Sequence, residues 1–227
     1  MTRKLNRDRS GRIFDLLRRP ATATPVTGMT RIQVPVEAYI LALYPQSMSS
    51  GRASSRVQAG QQLQALASGL AVPSFWTRDQ IAHAFDDANR IWMREAKIEF
   101  TPVTITKRSE AVPADENGMW IHFINNLGPG RGIGVGFVYD LPSHEGGWGG
   151  GRIAVISGKK AGSGISGFAG SLLAHELGHV LIDDPTHSQA ANDPSNLMYG
   201  SRNPRVANAG LLNPRQVSIA RTTALGI

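Results

Sequence analysis

Between Ala174 and Ile182 the chain reads Ala-His-Glu-Leu-Gly-His-Val-Leu-Ile, placing two histidines four positions apart with a glutamate directly after the first. On a helix that spacing puts His175 and His179 on one face, a turn apart. Two imidazoles so placed can hold one metal ion, and Glu176 beside them keeps a carboxylate for proton transfer. Ala169, Leu172, Leu173, Leu177, Val180 and Leu181 give the same helix a stripe to bury. Pro185 requires the helix to stop by Asp184, because it removes a donor and restricts the residue before it. The rest of the chain must therefore cover one side of this helix while leaving the histidine side open to a further ligand and to water.

The further ligand has to come from downstream. No glutamate occurs after Glu176, which excludes a glutamate from a later helix. His187, Asp183, Asp184 and Asp193 remain. A third imidazole from a short turn beyond the helix is chemically the simplest choice, so His187 is the expected ligand, with Asp184 or Asp183 as alternatives.

Composition narrows the setting. Apolar content of 41% with 18% charged residues describes a globular chain. The absence of cysteine excludes disulfides, thiolate ligands and a cysteine nucleophile. No apolar run approaches the length of a membrane span. Of the net charge of +7, five units lie in the first 19 residues, where Arg3, Lys4, Arg7, Arg9, Arg12, Arg18 and Arg19 face only Asp8 and Asp15. Residues 1–29 thus read as a basic arm and linker, and residues 30–227 as one domain. A solvated tail is the simpler account of the arm, and nucleic acid is not an expected partner. No signal-peptide pattern follows the basic residues, so a cytoplasmic protein or one exported by a non-classical route is expected.

Along the chain, the alternation in Arg31–Ile40 predicts a first strand, with Pro35 favouring an edge, a bulge or an irregular start. The stretch from Ser47 to Leu70 reads as a loop insertion with a short helix. Thr77 is a helix N-cap, followed by the stripe Ile81, Phe85, Ala88 and Trp92. Lys97–Lys107 alternates and predicts a second strand. Met119–Ile124, almost wholly apolar, predicts a third and central one, in which His122 is a packed histidine rather than a ligand. The glycine-rich segment 128–151 reads as a loop; it lacks the helix and the Ser/Thr of a phosphate-binding loop. His144 and Glu145 in that loop are not expected to bind metal. Arg152–Ser157 predicts a fourth strand, at an exposed edge. Asn213-Pro214 starts a last helix, with Asn as cap and Pro at the first helical position.

The zinc-type helix, a nearby third ligand and Asn196-Leu-Met-Tyr199 together resemble the metzincin zinc peptidases, in particular the matrixin-like ones, over about residues 30–227. The resemblance implies an α/β (α+β) fold: a twisted mixed sheet of about four to five strands, a backing helix, an active-site helix and a C-terminal helix. It implies one catalytic Zn2+ held by His175, His179 and His187, with Glu176 as general base to a metal-activated water. The resemblance also implies that Met198 forms the apolar floor of the site in a Met-turn. It implies further that the strand containing Ile153, Ala154 and Val155 pairs with an extended peptide or protein substrate, and that Tyr199 and the residues up to Asn203 border the pocket. Calcium use is left open, and a monomer is expected. This chain departs from the family pattern in one place: where a turn glycine and the third ligand belong, it has Ile182 and Pro185, and His187 arrives two residues late. Ile cannot adopt a left-handed turn cheaply, so a wider turn through Asp183-Asp184-Pro185 is expected. Two other readings stand beside this one: a non-catalytic binding module using its basic arm for nucleic acid or membrane, and a zinc aminopeptidase.

Overall fold

The computed structural model describes residues 28–45, 76–113, 115–141, 146–161, 168–184, 187, 193–199 and 210–227. The basic arm through residue 27, the insertion after Pro45, His144-Glu145 and residues 200–203 lie outside the described residues. The fold is mixed α/β, built on a five-stranded, mostly parallel sheet. Its elements in chain order are β1 (Ile32–Pro45), α1 (Arg78–Glu95), β2 (Ile98–Val112), α2 (Glu116–Leu127), β3 (Ile133–Val138), β4 (Gly147–Gly150) and β5 (Ile153–Ser157). A single turn, α3 (Gly158–Ala161), precedes α4 (Phe168–Ile182) and α5 (Pro214–Leu225). The strand order is β2-β1-β3-β5-β4, and only β4 runs antiparallel to its neighbour.

Period-two alternation divides the strands between two cores. Val34, Val36, Ala38 and Ile40 of β1, Ile133, Val135 and Phe137 of β3, and Ala154 and Ile156 of β5 face the layer of α1, α4 and α5. Tyr39, Leu41, Ile153 and Val155 face the opposite side, which α2 covers with Met119, Phe123 and Leu127. Helix α1 begins as its sequence dictates: Thr77 accepts from the Gln80 amide, and the Gln80 side chain accepts from the Thr77 amide. Ile81, Phe85, Ala88 and Trp92 are buried.

Three expectations need correction. Met119–Ile124 is helical rather than a strand, because Asp115 caps the Gly118 amide at 2.7 Å and starts a turn. Met119, Phe123 and Leu127, four residues apart, are the buried ones, while Ile121 and Ile124 are 57% and 46% exposed. A short apolar run does not by itself distinguish these two outcomes. The glycine-rich segment is not simply a loop, since it contains β3 and β4. Of the options expected at Pro35, the edge is excluded, because β1 lies inside the sheet between β2 and β3, and the bulge or irregularity is found, as a register shift at Val36/Glu37 one residue after Pro35. Finally, β5 is not an edge. It pairs with β3 on one side and β4 on the other, so Ile153, Ala154 and Val155 have no free main-chain edge to offer a substrate. Among the described residues the edge beside β5 is β4.

Candidate metal centre

Helix α4 lies against α1 and the sheet at very short range. A Cβ on Gly170 would come within 2.1 Å of Asp87 Cβ, so only glycine allows α1 and α4 to approach this closely. Trp92 of α1 donates its indole N–H to the Ala174 carbonyl at 3.1 Å, one residue before His175. Met198, fully buried, tucks beneath α4 at Gly178, where a Cβ would meet its sulfur at 2.2 Å. The apolar floor expected from the sequence is therefore in contact with the histidine helix.

The helix ends at Ile182. Asp183 then takes the left-handed conformation (φ 54°) and donates its amide to the His179 carbonyl at 3.1 Å. The wider turn expected beyond Ile182 thus begins at Asp183, a residue type that tolerates the left-handed conformation better than a branched one. Asp183 itself is exposed. Asp184 is buried and acts through its backbone: its carbonyl accepts from His179 Nδ1 at 2.9 Å and from the His187 amide at 3.5 Å. His187 follows at φ 56° and swings back over the helix.

The outcome is a convergence of three imidazoles. His175 Nε2 lies 3.1 Å from His187 Nε2 and 3.1 Å from His179 Nε2, and a ligating nitrogen from each of the three falls within 4.8 Å of the others. His175 Nδ1 faces the Leu197 carbonyl at 2.7 Å. A carbonyl oxygen only accepts, so Nδ1 carries the proton in His175, and by the same reasoning in His179. Both Nε2 atoms then present bare lone pairs to each other. Protonation offers little relief, because burial first, and a neighbouring imidazole next, hold His175 and His179 at about 4 rather than the ordinary 6.5. Two lone pairs at contact distance, each imidazole fixed through its other nitrogen, are an arrangement that a cation would relieve. The group His175, His179 and His187 could hold a metal ion.

Glu176 is buried beside this group. Strand β4 presses against it, and a Cβ on Gly147 would stand 2.7 Å from Glu176 Cγ, while one on Gly149 would stand 2.2 Å from the Glu176 carbonyl oxygen. Gly147 and Gly149 are thus a requirement of the helix beneath them. Trp148 points to the other face, edge-on to Trp120 at 5.9 Å. Tyr199 is half-buried, its amide donating to the Asn196 carbonyl at 3.1 Å. His122 belongs to a different cluster, 3.3 Å from Glu110, as expected of a packed histidine. The sequence reading missed β4 and the pair Asn196 and Gln216. Gln216 was within reach, because Asn213-x-x-Gln216 has the spacing of a capping box.

No family model matches the chain, and no curated protein matches it. Among solved structures 22 chains match. One comes from "Structure of a chaperone-substrate complex", at 13% identity and a TM-score of 0.40 over 86% of this chain and 35% of that one. This chain therefore spans about a third of that chain's length, and the likeness carries no argument about function.

Proposed function

We propose that the chain is a zinc-dependent endopeptidase of metzincin type. The observation that carries this reading is the convergence of His175, His179 and His187 nitrogens, with the outer nitrogens of His175 and His179 tied to carbonyls, directly beside the buried Glu176. Three neutral nitrogen donors suit zinc and leave room for a further ligand. When bound, zinc acidifies water and polarises a peptide carbonyl. Glu176 accepts the proton of the attacking water and returns it to the departing amine, a role that suits a carboxylate one residue from a ligand on the same helix. Met198 supplies the apolar floor and Tyr199 borders the cleft. Strand β4 replaces the expected β5 as the edge along which an extended peptide lies, adding main-chain hydrogen bonds to Gly147–Gly150.

The test is Glu176→Ala. It is expected to keep stoichiometric zinc by metal analysis and to lose roughly 10²- to 10⁴-fold in peptide hydrolysis. Retained hydrolysis of a protein substrate by a zinc-loaded Glu176→Ala chain would falsify the mechanism.

A further inference from the structure

Two buried amides hold the turn that orients the first histidine. Asn196 is 3% exposed and Gln216, in the first turn of α5, is fully buried. Asn196 Nδ2 donates to Gln216 Oε1 at 2.8 Å, and Gln216 Nε2 donates back to Asn196 Oδ1 at 3.2 Å. Each amide oxygen accepts a second, backbone bond: Met198 N–H to Asn196 Oδ1 and Asn213 N–H to Gln216 Oε1, both at 2.9 Å. A backbone N–H only donates, so these two bonds fix which end of each amide is oxygen, and the pair cannot flip without losing one of them. The clamp surrounds Leu197, whose amide donates to the Leu211 carbonyl at 2.7 Å and whose carbonyl is the acceptor of His175 Nδ1.

We infer that Asn196 and Gln216 are positioning residues for the metal centre, acting on His175 through the Leu197 carbonyl. Neither touches the converging nitrogens. Their reciprocal amide bonds set the position of the carbonyl that selects the His175 tautomer with Nε2 unprotonated, and so set that nitrogen's basicity and aim. The inference rests on the metal centre proposed above, but the tautomer of His175 can be read without any metal.

The experiment uses the full-length chain, with zinc as the probe in a competition titration against a chromophoric chelator. Ring-nitrogen NMR of the metal-free chain provides the second readout. Gln216→Met keeps the length of the side chain and removes its amide. Zinc affinity is expected to fall by about 10- to 100-fold, and the His175 ring signals to move from a single Nδ1–H tautomer toward a mixture. Ala224→Gly, at the far end of α5, is the control for mere destabilisation and is expected to leave zinc affinity unchanged. Should Gln216→Met fail to fold, Gln216→Glu keeps the acceptor for Asn196 and Asn213 but sets a carboxylate oxygen against Asn196 Oδ1 in place of the donor, and a loss of affinity of the same order is expected. Wild-type zinc affinity and wild-type His175 signals in a folded Gln216 variant would overturn the proposal. So would an equal loss of affinity in Ala224→Gly. If the wild-type chain takes up no zinc, the metal centre itself falls, and the His175 ring signals of the metal-free variants still decide the clamp.

Discussion

At the scale of single residues, the third ligand and the turn before it are separable. His187 brings its nitrogen to within 3.1 Å of His175, whereas Asp183 supplies only a left-handed backbone conformation. Asp183→Gly is therefore expected to retain zinc binding and to keep or slightly raise stability. Asp183→Val should cost about 1–2 kcal/mol through the strained conformation, measured as a drop in the urea midpoint. His187→Ala should weaken zinc binding on the order of 100-fold or more, a larger effect than that typical of an outer-shell partner. Tight binding that survives in His187→Ala and fails in Asp183→Gly would reassign the ligand. Acidity gives a second measurement. His175 and His179 titrate at about 4 in the folded chain, below their ordinary 6.5, mainly through burial. The unfolded chain thus takes up protons first as the pH falls. The metal-free protein should hold this contribution above about pH 6.5 and lose it progressively down to about pH 4. Denaturation midpoints unchanged between pH 7.5 and 4.5 would contradict the burial of these rings.

Individual elements differ in how openly their residues declare them. Helices α1 and α5 carry their own start signals, Thr77-x-x-Gln80 and Asn213-Pro214-x-Gln216, and both caps form with the residues' own side chains. Such signals are local, so they can be read from a few neighbouring residues. Helix α2 and strand β4 cannot be read this way. Met119–Ile124 satisfies either period until the layer it covers is known. Gly147-Trp-Gly-Gly150 becomes a strand only because β5 pairs with it and α4 leaves no room for side chains. Gly147→Ala and Gly149→Ala are each expected to destabilise the fold by about 1–3 kcal/mol. Gly147→Ala should also depress hydrolysis more than zinc binding, because its collision falls on the Val155 carbonyl and the Glu176 side chain, whereas Gly149→Ala, which meets His179 Cβ as well as the Glu176 carbonyl, should depress both. Gly178→Ala, which drives a methyl into Met198, should lower thermal stability by a similar amount. A calorimetric scan of each variant with zinc removed checks these magnitudes.

For the whole molecule, the proposed activity belongs to residues 30–227 and not to the basic arm. Removing residues 1–25 should leave zinc content and peptide hydrolysis within about twofold, the scatter expected when no contact to the site is lost. Loss of both would point instead to a function carried by the arm. The sequence alone determined which side chains the central helix offers: two histidines and a glutamate at helical spacing, with a methionine downstream and no later glutamate beside His187. These are matters of residue type and short-range periodicity. Tertiary structure alone decided which strand lies at the sheet edge among the described residues, and which amides hold the Leu197 carbonyl against His175. Each depends on contacts between segments far apart in the chain, such as Asn196 with Gln216 and Gly147 with Glu176, and pairings of that kind leave no trace in local periodicity.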